Sequence, residues 1–271
     1  GSLMVFRKSD KIIIFFVLIF FIGASCTKKT SPTSNPLDPD TDDYIPPTVA
    51  IQSSVSSGTV VDVSQITVEL MGNDLVVEFR YRLDDFAWTD WNESPIIVLD
   101  YLDEGDHSVQ FQSRYLSGDE SDITSLDFTV DAVPGPSIMF YPRRAFAENN
   151  EIVNFEILAE EVENLAGFEF YVEFDQDKIQ LEEITPGAVF TENGEPIFLT
   201  EQPSSGGLRI TSAVWGQDAP AFNGTGSLAI LSFKMLQNSD VHITFEGNQI
   251  FRNSSNSTIN IQEIISGYIT Q

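Results

Sequence analysis

Three sets of side chains in this sequence have the types and spacing to do chemistry. Asp38, Asp40 and Asp42 alternate as do the carboxylates at the start of a calcium-binding loop, where they converge on one ion. The rest of that loop is wrong, because Asp43 stands where the turn needs Gly and Val49 where the ion needs a bidentate Glu. A solvated acidic stretch is therefore expected there. Trp88 and Trp91 are spaced to stack on sugar rings, and Tyr171 and Trp215 offer similar flat surfaces; the other reading of Trp88 and Trp91 is a core tryptophan with its neighbour at a hairpin. The third set comprises Glu169, Tyr171 and Glu173 on one stretch and Arg209, Thr211, Ala213 and Trp215 on another. Aromatic side chains and arginine among charged groups are the composition of protein-interaction hot spots.

Catalytic arrangements are missing. His107 follows Gly105-Asp106 with no second His or Cys near it, and His242 lies between Val241 and Ile243, so both are expected to be strand residues. There is no nucleophile elbow, zinc-protease helix motif or phosphate-cradling glycine loop. With 41 acidic residues, carboxylate pairs are inevitable and carry no weight for glycoside hydrolysis. The net charge of −27 repels phosphate backbones, so nucleic acid is excluded as a partner. No enzyme activity, metal or cofactor is expected.

A single cysteine, Cys26, rules out an internal disulfide. It ends a three-part segment: Arg7, Lys8 and Lys11, then the apolar run Ile12 to Ile22, then Gly23-Ala24-Ser25. This pattern in residues 1–26 resembles a bacterial lipoprotein signal peptide, with Gly23 standing where that family has Leu or another aliphatic residue. The resemblance implies acylation of Cys26 as a lipid anchor and a place in the cell envelope, at the outer membrane or cell surface. Residues 27–46 are rich in Ser, Thr, Pro and Asp and are expected to be a disordered linker.

From Pro47 onward the chain breaks into short β-branched and aromatic runs separated by turn residues, the pattern of β-sandwiches. In VVEFRYRLD, Glu78, Arg80 and Arg82 alternate with Val77, Phe79, Tyr81 and Leu83, giving one wet face and one buried face. The runs YRLDDFAWTDW (Tyr81–Trp91), LDEGDH (Leu102–His107) and FTVD (Phe128–Asp131) resemble a bacterial immunoglobulin-like or fibronectin-type module, which implies a spacer domain over 47–133. Val133-Pro134-Gly135-Pro136 cannot continue a strand and marks a boundary.

A second domain is expected over 136–271. Its runs NNEIVNF (Asn149–Phe155), VENLAGFEFYVEFD (Val162–Asp175), DKIQLEEITPG (Asp177–Gly187) and GSLAILSFK (Gly226–Lys234) occur in order. Together they resemble a cohesin domain over nearly its whole length. The expected fold is all-β: two β-sandwich domains in tandem, the second a nine-stranded jelly-roll-like cohesin sandwich.

The resemblance implies a non-catalytic protein that binds a dockerin-containing partner and tethers it at the surface, with a polysaccharide-degrading enzyme as one candidate. Calcium would enter only through that dockerin. Cohesins present a sheet face that includes the strands around Gly167–Asp175 and Leu208–Trp215. Alternation sends Phe168, Phe170, Val172, Phe174, Leu208, Ile210 and Val214 inward, and Glu169, Tyr171, Glu173, Arg209, Thr211, Ala213 and Trp215 outward. Two alternatives stay open: Trp215 as a cap on the core, and Glu169 and Glu173 as a merely solvated face. The competing function is direct carbohydrate binding through Trp88, Trp91, Tyr171 and Trp215.

Overall fold

Alternating apolar residues, flanked by Gly, Pro, Asn and Asp, make strands the dominant element among the described residues. A computed structural model describes residues 35–191, 196–202, 207–214 and 220–271. Cys26 and Trp215 lie outside the described residues. Residues up to Pro46 and residues Pro47–Gln271 are two separate compact units. In the first, residues 35–46 run through successive turns, and the Asp38 carboxylate accepts the Asp40 amide at 3.0 Å. Among the described residues no group of His, Cys, Asp or Glu could hold a metal ion.

The unit from Pro47 contains two hydrophobic cores. Around the first are β1 (Val49–Gln52), β2 (Thr59–Val61), β3 (Ile66–Gly72), β4 (Glu78–Leu83), β5 (Ile96–Leu99), β6 (Gly105–Arg114) and β7 (Thr124–Val130). They form a sheet of order β1-β3-β5 and a sheet of order β2-β7-β6-β4. Val68, Leu99, Val109, Phe111 and Phe128 are buried between them. Phe79 is buried, and Tyr81 and Leu83 pack on this core, following the expected alternation. Val77 departs from it: it precedes β4, where no pleat fixes its direction, and is exposed.

The second core is enclosed by β8 (Ser137–Tyr141), β9 (Arg144–Phe146), β10 (Ile152–Glu173), β11 (Ile179–Pro186), the single turn α1 (Ala188–Thr191), β12 (Ile197–Glu201), β13 (Gly207–Ala213), β14 (Phe222–Met235), β15 (Val241–Asn253), β16 (Ile264–Ile265) and β17 (Gly267–Thr270). Ten strands are therefore described here, where nine are expected. Pro142, which has no amide to donate, separates β8 from β9, and the expected final strand divides into β16 and β17. Conversely, two expected strands join in the 22-residue β10.

β10 builds both layers. Its first half pairs with β14 and β8, and its second half with β13 and β15. Between the halves the register slips, and Glu161 (φ 47°) and Asn164 (φ 55°) adopt left-handed backbone, so the strand turns the corner from one layer to the other. Aromatic contacts close the gap between layers: Phe140 lies 4.8 Å from Phe245, and Phe174 lies 5.1 Å from Phe233. Gly187, where α1 begins, lies so close to the Ser227 carbonyl that any side chain there would collide with it.

Residues of the two cores also touch each other. Arg144 Nη1 donates to Asp100 Oδ1 at 2.5 Å, and the Arg143 amide donates to Asp103 Oδ1 at 2.6 Å. Tyr101 stacks on Tyr268 at 5.1 Å, and Phe86 meets Phe146 edge-on at 5.6 Å.

Candidate partner-binding face

The second half of β10 carries Phe168, Phe170 and Val172 into the core, which leaves Glu169, Tyr171 and Glu173 on the opposite side. β13 does the same: Leu208 and Ile210 are buried, while Arg209, Thr211 and Ala213 face outward and are half-exposed. Register sets Glu169 beside Thr211, Tyr171 beside Arg209 and Gly167 beside Ala213. Six of the expected face residues thus share one surface. Val214 packs against the core.

Hydrogen bonds organise the centre of this face. Glu169 Oε2 accepts from Arg209 Nη2 at 2.6 Å and from the Thr211 hydroxyl at 3.1 Å. Arg209 Nη1 also reaches Glu201 Oε2 at 3.4 Å, and its guanidinium lies 5.6 Å from the centre of the Tyr171 ring. The Glu169 hydrogen bond drives the Arg209 pKa further above its ordinary value, so the charge is fixed at all working pH. Arg209 Nε is buried and has no acceptor among the described residues.

The flanking strands extend the surface in a way that the sequence did not announce. β12 pairs with β13, setting Leu199 beside Thr211 and Ile197 beside Ala213; β15 sets Ile250 beside Glu169. Leu199 is 61% exposed, and Ile197 and Ile250 are also exposed. Two aliphatic margins thus border a polar centre. The alternation in IFLTE was the available signal, but it needed the pairing partner of β12 to become readable. On the β15 side, two extra residues and Gly247 (φ 69°) form a bulge that brings Gln249 Oε1 to the Tyr171 amide at 3.2 Å.

The other candidate aromatics are differently placed. Trp88 and Trp91 are half-buried on the outer side of β4, neither in the core nor free. Arg80 lies 4.8 Å from Trp88 and 4.3 Å from Trp91, Arg82 lies 5.2 Å from Trp88, and Arg114 lies 4.6 Å from Trp91. Guanidinium groups therefore lie against the rings of both tryptophans. His107 is buried, with Nδ1 2.8 Å from Asp84 Oδ2 and Nε2 2.9 Å from the Asp103 carbonyl. His242 is exposed on β15 and stacks on Tyr268.

The family model described as "Cohesin domain" matches residues 144–270. Those residues are a cohesin domain. No curated protein matches the chain. Among solved structures, the sixth cohesin of scaffoldin B from Acetivibrio cellulolyticus, determined in complex with a dockerin, shares 15% identity over 51% of this chain and 99% of its own, with a TM-score of 0.46. A type II cohesin domain from the cellulosome of the same organism shares 19% identity over 50% of this chain and 95% of its own, also at 0.46. A non-cellulosomal cohesin from the archaeon Archaeoglobus fulgidus shares 14% identity over 49% of this chain and 88% of its own, at 0.41. The cohesin domain thus begins within the second core's strands, and the face of β12, β13, β10 and β15 belongs to it.

Proposed function

We propose that this chain is a non-catalytic, lipid-anchored envelope protein whose cohesin domain captures a dockerin-bearing partner on the face formed by β12, β13, β10 and β15. The observation that carries this reading is the pairing of a fixed polar centre, Glu169-Arg209-Thr211, with exposed aliphatic margins at Leu199, Ile197 and Ile250. Such a face costs little to desolvate at its edges and offers directional contacts at its middle. Exposed Glu173 and Glu246 border the face and favour a partner with a basic rim.

Acylation at Cys26 would hold the complex at the membrane, and the linker over 27–46 would give it reach. Tethering keeps a captured enzyme, such as a polysaccharide hydrolase, at high local concentration without any chemistry by the captor. The test is a pull-down with a panel of dockerins. Capture in calcium and release in chelator is expected, because the dockerin loops and not this chain hold the ion; retention that ignores calcium contradicts the reading. Cys26→Ala should move the protein from the membrane fraction to the soluble fraction, and an unchanged membrane fraction contradicts the anchor.

A further inference from the structure

A cavity of about 370 Å³ lies where the two cored regions meet, remote in sequence from the partner-binding face. Its walls include the rings of Tyr81, Phe86, Tyr101 and Phe146, together with the Arg144-Asp100 ion pair. Phe86 and Phe146 are half-exposed and present ring surface at the junction, whereas Tyr101 already stacks on Tyr268 and meets the Arg144 guanidinium. The volume is at the small end of the ~300–1,000 Å³ typical of ligand sites, and such sites favour junctions of this kind.

The charges around the cavity select its occupant. Asp84, Asp100 and Asp103 line it, which disfavours an anion. The place of a cation is already filled, since the Arg144 guanidinium lies 5.4 Å from the Tyr101 ring and 5.3 Å from the Phe146 ring. A pure hydrocarbon fits no better. It would cover the Tyr81 hydroxyl, which makes no hydrogen bond among the described residues, and the second oxygen of Asp100, whose Oδ1 is taken by Arg144. Burial also raises the Tyr81 pKa, so at neutral pH that hydroxyl keeps its proton and can donate.

What satisfies both the rings and the polar points is a neutral molecule with a flat C–H face and hydroxyls along its edge. We propose that this cavity binds a single neutral sugar ring, stacked on the Phe86 and Phe146 rings and hydrogen-bonded to Tyr81, Asp100 and Arg144. The site is distinct from Trp88 and Trp91, and from the dockerin-binding reading, which does not depend on it.

The experiment is saturation-transfer NMR on the full chain with the methyl glycosides of glucose, galactose, mannose and xylose, and with phenol as a flat apolar control. At least one glycoside should receive saturation. Phe86→Ala and Phe146→Ala, both at exposed positions, should each weaken that binding about tenfold. Tyr81→Phe keeps the ring and should weaken it about fivefold through the lost hydroxyl alone. Thermal melting of each variant checks that it is folded. Transfer to phenol but to no glycoside, transfer to nothing, or glycoside binding that all three variants leave unchanged would each overturn the proposal.

Discussion

Two outward sheet faces of this molecule are built from the same ingredients and end differently. On β4 and β6, arginines alternate along the strand and meet tryptophans and glutamates; on β10 and β13, an arginine meets a tyrosine and glutamates. In the first case the chain folds back over its own face. The segment after β4 is pinned by the Thr89 amide donating to the Tyr81 carbonyl at 2.9 Å and by the reciprocal bonds of Phe79 and Asn92 at 2.8 and 2.9 Å. That return lays both indoles on the guanidinium groups. Arg80 is further held by Gln112 at 2.6 Å and Glu120 at 2.8 Å. In the second case nothing described folds back, and aliphatic side chains stand exposed at the margins. Composition therefore does not distinguish a sealed face from an open one. The path of the connecting segment does.

The sharpest way to break this comparison is to remove the central arginine of each face. Arg80→Ala deletes two ring contacts and its charged hydrogen bonds at a sheltered position, and should lower stability by about 2–3 kcal/mol while leaving dockerin capture unchanged. Urea denaturation followed by tryptophan fluorescence, with a parallel pull-down, measures both. Arg209→Ala should do the opposite. Its ion pair with Glu169 is partly exposed, so stability should change little, while capture weakens about 30-fold, the size of a hot-spot truncation. If the two arginines behave alike, the distinction between sealed and open faces is wrong.

A smaller effect is expected at Leu199→Ser. Stability should move by no more than about 0.5 kcal/mol, since the side chain already faces water, but capture measured by titration calorimetry should weaken about tenfold.

Much of this was legible in the sequence. Period-two alternation placed Phe168, Phe170 and Val172 inside and Glu169, Tyr171 and Glu173 outside, because a pleated strand with one buried face leaves no other arrangement. The β-sandwich class followed from the turn chemistry and the strand lengths. What was not legible depended on partners distant in sequence. Leu199 joins the face only because β12 pairs with β13, and Trp88 and Trp91 find guanidinium groups only because their segment returns across β4. The union of two expected strands in β10 was hidden because Glu161 and Asn164 look like a turn locally, yet their amides donate to the Thr225 hydroxyl and the Asn223 side-chain oxygen of β14 and carry the strand through the corner.

The smallest predicted effect concerns the boundary between the two regions. Burial, and then the neighbouring carboxylates Glu104, Glu161 and Asp131, raise the Glu160 pKa against the hydrogen bond from Thr225, and Glu160 Oε2 has no partner. A carboxyl whose folded pKa exceeds its unfolded one contributes stability that is fully present below the unfolded value and lost as pH rises through the folded value. Glu160→Gln removes that loss. Melting temperatures should show the variant gaining on the parent between pH 4 and pH 7, with little difference at the acid end; a gain confined to low pH would reverse the sign.

On the proposed reading, one face of the cohesin domain, and not the tryptophan-arginine face, receives the partner. Hydrogen-exchange mass spectrometry of the chain, alone and saturated with a calcium-loaded dockerin that it captures, tests this directly. Added protection is expected in peptides spanning 167–173, 197–201, 207–213 and 244–252, with none over 78–91. Protection centred on 78–91, or on the opposite layer at 152–158 and 229–235 with none at 167–173, would contradict it.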